Sequence, residues 1–104
     1  MQTTITARHC QITDALRERA QEVCDRLAHH ASRPVDGSVI FDVEHLEQTV
    51  EIKLHVSRGD VFVATGNGAD HRTALDRAEE RIRRQLERHH LDPARPDSAG
   101  TTGA

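Results

Sequence analysis

The stretch Asp70–Leu91, DHRTALDRAEERIRRQLERHHL, decides how the rest of the chain is read. At 3.6 residues per turn, Leu75, Ala78, Ile82 and Leu86 fall on one stripe, and Arg77, Arg81, Arg84 and Arg88 on a second stripe turned well away from it. The spacing predicts an amphipathic helix that buries one side and lines another with arginine. At 1.5 Å per residue it spans roughly 33 Å, enough to lie beside several successive phosphates of an RNA.

Immediately upstream, Gly66-Asn67-Gly68 reads as a breaker and Asp70 as the helix N-cap. Before it, Val61–Thr65 reads as a short strand, and in TVEIKLHV Val50, Ile52, Leu54 and Val56 alternate with Glu51, Lys53 and His55. In SVIFDVE, Val39, Phe41 and Val43 alternate in the same way. The connections His45–Gln48 and Ser57–Asp60 are short enough for hairpins, with Gly59 able to supply a positive φ. Near the start, Gln2–Ala7 alternates with β-branched residues throughout and reads as a strand. A second helix follows: Thr13 is its expected N-cap, Asp14 suits the dipole, and Leu16, Ala20, Val23, Cys24, Leu27 and Ala31 keep helical spacing. Arg33-Pro34 closes it, because the residue before proline is pushed out of the α region. Beside this stripe Arg19, Arg26 and Arg33 stand seven apart, a thinner basic row.

The expected order is β-α-β-β-β-α, an α+β fold with a four-stranded mixed sheet and two parallel helices on its apolar face. The 104 residues, 36% hydrophobic, suffice for one domain with one solvated sheet face. Residues 1–92 are assigned to that domain, and 93–104, ARPDSAGTTGA with its preceding proline, to a disordered tail. The N-terminal MQTTITARH lacks a charged n-region and an apolar h-region, and no apolar run approaches a membrane span, so a cytoplasmic protein without a membrane partner is expected.

A net charge of −3 argues against a polyanionic partner until its distribution is considered. Between Asp36 and Asp60 six acids face two bases, whereas Asp70–Leu91 holds six arginines, five acids and three histidines. The sheet is acidic and the long helix is basic. A bland account stands beside the RNA account: Glu80 with Arg84, Glu79 with Arg83 and Arg84 with Glu87 are spaced for intrahelical ion pairs worth about 0.2–0.5 kcal/mol each.

Catalysis gains no support. Cys10 and Cys24 are read as free thiols, and Gly66-x-Gly68 without a following lysine is no phosphate loop. The pairs His29-His30 and His89-His90 point different ways on a helix and no C-x-x-C is present, so no metal site, cofactor or small-molecule substrate is expected. With no Trp or Tyr and only Phe41 and Phe62, base stacking is disfavoured, and contacts to backbone and shape are expected.

Two segments carry a resemblance. ITARHCQITDALRERAQEVCDRL, residues 5–27, looks like the opening of the ribosome hibernation promoting factors, also called the ribosome-associated inhibitor or sigma-54 modulation family. GADHRTALDRAEERIRRQL, residues 68–86, is similar to that family's second-helix motif, and the match covers about residues 2–91 in order. The resemblance implies a non-enzymatic fold of double-stranded-RNA-binding type. It further implies that the protein enters the small ribosomal subunit where mRNA and the anticodon ends of tRNA lie, contacts rRNA through basic helices, and silences ribosomes under stress. Onto the family's basic positions fall Arg26, Arg81, Arg84 and Arg88, and also Arg17; Arg77 and Arg19 join them on geometry alone. The sequence stops at Ala104, as in the family's short form, which would need a separate factor to pair ribosomes. Departures are Val23 and His29 at positions where the family has basic residues, and Arg72 in place of its tyrosine. The rival reading is a self-associating structural or adaptor domain that pairs through a sheet edge and binds RNA weakly or not at all.

Overall fold

Thr13 starts the first helix as its sequence position requires: its Oγ1 accepts a hydrogen bond from Leu16 N–H at 3.1 Å, and α1 runs Asp14–His30. The computed structural model describes residues 1–91, so the expected tail at 93–104 lies outside the described residues. The order is β1 (Gln2–Ala7), α1, β2 (Pro34–Glu44), β3 (Glu47–Val56), β4 (Val61–Gly68) and α2 (His71–Leu91). The sheet is ordered β1-β2-β3-β4, with β1 and β2 parallel and the two hairpins antiparallel. The expected α+β fold with a mixed four-stranded sheet is the one observed.

Both helices cover the face that carries Val39, Phe41, Val50, Ile52, Leu54 and Ala64, and these residues are buried with Ala20, Val23, Cys24 and Leu27 of α1. From α2 the same core receives Ala74, Leu75, Ala78, Ile82 and Leu86, so the apolar stripe seen in the sequence is the buried one. The helices run in the same direction, since Arg19 of α1 meets Asp76 and Arg26 meets Glu79. The opposite sheet face carries Asp36, Asp42, Glu51, Lys53 and His55 and is left to solvent by the helices.

Four boundaries differ from the sequence reading, the first being that α1 ends at His30, which leaves Arg33, with φ of 54°, outside the helix and its basic row. β2 starts at Pro34 rather than Ser38, β3 at Glu47 rather than Thr49, and the turn between them is only His45-Leu46. β4 does not stop at Thr65: Gly66, Asn67 and Gly68 pair with Val50, Thr49 and Gln48 of β3. The glycines serve close approach rather than a turn. A Cβ built on Gly66 would stand 2.2 Å from Ala74 O and 2.6 Å from Ala78 N, so α2 lies directly on the strand backbone there.

The start of α2 is fastened twice. Asp70 Oδ1 accepts the Thr73 N–H at 2.7 Å, the N-cap bond its position called for. His71 is buried, sits edge-on to Phe41 with centroids 5.3 Å apart, and donates Nε2–H to Asp42 O at 2.9 Å. Asp42 in turn gathers the β1–α1 loop, with His9 Nδ1 at 3.0 Å and Arg8 at 3.4 Å.

The carboxyls of Asp42 and Asp70 both lie below the ordinary range. The His9 contact and then the Val43 N–H act on Asp42, and the Thr73 N–H and hydroxyl act on Asp70. A depressed carboxyl stabilises the fold above its unfolded-state pKa of about 4, and that stabilisation is lost as pH falls through the lower folded value. The urea midpoint is therefore expected to fall below about pH 4, and Asp42→Asn with Asp70→Asn should flatten that acid limb in the same titration.

Candidate nucleic-acid interface

The arginines divide into two sets because α2 presents two flanks. With about 100° of turn per residue, Arg77, Arg81, Arg84 and Arg88 share the flank above β4, and Asp76, Glu79 and Arg83 share the flank toward α1. Between the flanks the crest of the helix carries Glu80 and Glu87, both exposed. The sequence reading placed Arg19 and Arg26 beside the α2 row on one outer surface; the structure sets them across this acidic crest.

β4 is an edge strand, and its unpaired carbonyls turn outward beneath the first flank. Arg77 Nη1 donates to Asn67 O at 2.7 Å, Arg81 Nη1 to Thr65 O, and Gln85 Nε2 to Val63 O at 2.8 Å. Donors four residues apart on a helix thus meet carbonyls two residues apart on a strand, since four helical residues rise about 6 Å and two strand residues about 6.6 Å. This ladder was not read from the sequence. Its signal in the sequence is the spacing Arg77-Arg81-Gln85, which sets three side-chain donors about one turn apart along the helix.

Farther from the sheet, Arg84 meets Glu80 at 2.8 Å, with both side chains about two-thirds exposed, as the intrahelical-pair account expected. The Arg83–Glu79 contact of that account is present but long, at 3.9 Å. Arg88 is exposed and forms no ion pair among the described residues. The flank is a line of four guanidinium groups, two anchored at one nitrogen to the strand edge and two directed to solvent. Each anchored group keeps further N–H donors beyond the one in use.

In the α1–α2 seam, Arg26 grips Glu79 with two bonds, Nε to Oε2 at 2.9 Å and Nη2 to Oε1 at 3.2 Å. Arg19 holds Asp76 Oδ1 through Nε at 3.2 Å and Nη2 at 2.9 Å. Arg17 is exposed on the opposite flank of α1, half a helical turn from Arg26, and pairs with no acid among the described residues. The outer side of α1 carries Glu18, Glu22 and Asp25, all exposed. The basic surface is accordingly the β4-side flank of α2 and not the whole helix layer.

A model of the family described as Sigma 54 modulation protein / S30EA ribosomal protein matches residues 3–91. The chain belongs to that family. Among its relatives, the ribosome hibernation promoting factor of Azotobacter vinelandii is 38% identical over 89 residues, which are 86% of this chain and 82% of that protein. The factor of the same name from Escherichia coli (strain K12) is 33% identical over 89 residues, covering 86% of this chain and 93% of its own. In fold the chain is similar to a ribosomal subunit interface protein from Coxiella burnetii, with a TM-score of 0.76 at 19% identity over 88% of this chain and 99% of that one. The N-terminal domain of Thermus thermophilus Protein Y gives 0.73 at 24% identity, covering 86% and 99%.

Burial first, then the charge of Asp25, pushes the Cys24 thiol up to about 11, and burial with Asp42 raises Cys10. Both thiols are free, and neither supplies a thiolate near neutral pH. No three His, Cys, Asp or Glu residues gather for a metal ion among the described residues.

The seam pairs make a prediction of their own. Glu79 is 10% exposed in its side chain and Arg26 46%, so the pair lies between a surface bridge and a buried one. Arg26→Ala is expected to lower stability by about 1–2 kcal/mol in urea denaturation. Much of that loss should be recovered in the double variant with Glu79→Gln, because without Arg26 the mostly buried Glu79 carboxylate keeps only the long Arg83 contact at 3.9 Å.

Proposed function

We propose that this chain is a ribosome hibernation factor that binds the small ribosomal subunit in the channel for mRNA and the anticodon ends of tRNA. It blocks translation there and holds ribosomes idle under stress, in the cytoplasm. The observation that carries this reading is the family match across residues 3–91, joined to the line Arg77, Arg81, Arg84 and Arg88 on one exposed flank of α2.

The mechanism is occlusion, with no bond made or broken and no cofactor. Arg88 takes an rRNA phosphate directly, and Arg84 exchanges the exposed Glu80 carboxylate for a phosphate, which a guanidinium grips with two parallel bonds. Arg77 and Arg81 bind through the donors that the strand edge leaves over, and that edge holds them in place. Arg17 adds a contact from α1. Arg19 and Arg26 reach rRNA only by releasing Asp76 and Glu79, so their share is the smallest. No helix among the described residues is long and apolar enough to cross a membrane. The ladder onto β4 also closes one of the two sheet edges through which the domain could pair with itself.

The test is co-sedimentation with small subunits and whole ribosomes over a salt series. Binding is expected at about 50 mM salt, with log affinity falling linearly against log salt. A chain that stays in the supernatant at the lowest salt is not a hibernation factor, and a concentration-dependent dimer under those conditions would favour the self-associating domain.

A further inference from the structure

The tip of the β2–β3 hairpin is built against local preference. Glu44 and Glu47 close the ladder, leaving His45 and Leu46 as a two-residue turn with φ of 50° and 69°. Such turns need positive φ at both positions and favour Asn-Gly, because a side chain with a Cβ is strained there. Leu46 accepts that strain while being 96% exposed; the other exposed large hydrophobics lie between 39% and 51%. A leucine in this conformation contributes nothing to the core and makes the turn worse. A single exposed apolar side chain is ordinary on a protein surface, but backbone strain kept at the same residue points to a contact made outside the chain.

The surroundings say what kind of contact. Glu44 and Glu47 flank the turn and are exposed, and both repel phosphate. Leucine has neither a donor for a base edge nor a ring for stacking, so RNA is a poor occupant for Leu46 itself. An apolar pocket rimmed by lysine or arginine on a protein answers both features. We propose that Leu46 is an anchor that enters such a pocket on a basic protein of the small subunit, with Glu44 and Glu47 pairing to the rim. This second contact rests on the ribosome reading above and uses a different part of the molecule from the α2 flank.

Leu46→Gly separates folding from binding, since glycine relieves the turn and deletes the anchor. Its Tm is expected to rise by roughly 5 °C, while affinity for intact small subunits falls about tenfold, in the range of a moderate interface anchor. Affinity for protein-free rRNA at low salt should be unchanged. Unchanged affinity for intact subunits that do bind the unsubstituted chain would overturn the anchor and leave the ribosome reading standing. An equal loss on protein-free rRNA would overturn the protein partner. If the unsubstituted chain binds no subunit, the ribosome reading fails and the anchor with it.

Discussion

Gly66→Ala is expected to lower the stability of the domain by about 3 kcal/mol or more, a large part of the 5–15 kcal/mol typical of a domain. The new methyl would sit 2.2 Å from Ala74 O and 2.6 Å from Ala78 N. Both are backbone atoms of α2, so no rotamer change relieves the clash. The helix must lift from the sheet, and with it Ala74, Leu75, Ala78, Ile82 and Leu86 leave the core they share with β3 and β4. Gly68→Ala is the control. Its nearest neighbour is Thr73 Cγ2 at 3.0 Å, the end of a side chain that can turn away, so a cost nearer 1 kcal/mol is expected. Urea denaturation of the two variants checks the contrast. A Gly66→Ala domain as stable as the Gly68→Ala one would mean that α2 does not rest on Gly66.

Gly66 also shows where a sequence stops being legible. Gly66-Asn67-Gly68 is a breaker by composition, yet Ala64, Gly66 and Gly68 continue the buried alternation of β4 while Thr65 is exposed. Small residues on that face are matched by Ala74 and Ala78 on α2, and the match exists only once strand and helix are brought together. Periodicity by itself gave the order of elements, the N-caps Thr13 and Asp70 and the buried stripe of α2, because each depends on neighbours within one turn or one strand. It also gave the arginine stripe. It could not show that Arg77 and Arg81 each lend a donor to β4, which depends on which carbonyls face the sheet edge. Nor could it show that Arg19 and Arg26 are held by acids 57 and 53 residues away. The sheet's acidic open face and the basic helix were visible in the charge distribution, whereas the acidic crest of Glu80 and Glu87 between the two basic sets follows from the packing direction of α2.

Charge reversal on the β4-side flank should remove most ribosome binding, and the position of each arginine decides how the result is read. Arg81→Glu does two things: it deletes a cation and takes a donor from Thr65 O, placing a carboxylate against the carbonyl edge of β4. Loss of binding in that variant alone could come from a loosened edge. Arg84 and Arg88 are exposed, and Arg84 is tied only to Glu80 on its own helix, so reversing them leaves the strand edge and the core untouched. The double variant Arg84→Glu with Arg88→Glu trades the Arg84–Glu80 pair for like-charge neighbours on one exposed helix face, so its unfolding free energy should fall by only about 1–2 kcal/mol and the domain should stay folded. Its salt slope should drop by about 1.4–1.8 units, at roughly 0.7–0.9 per phosphate contact. Adding Arg81→Glu should bring the loss of affinity to on the order of 100-fold at about 0.1 M salt, measured by co-sedimentation with small subunits. A double variant that binds with the original slope would place the rRNA contact elsewhere on the molecule. In that event the candidates on the helices are Arg17, whose flank of α1 faces away from α2, and the seam residues Arg19 and Arg26, which bind phosphate only by opening their bonds to Asp76 and Glu79, beside the exposed Arg8, Arg33, Arg58 and Arg72.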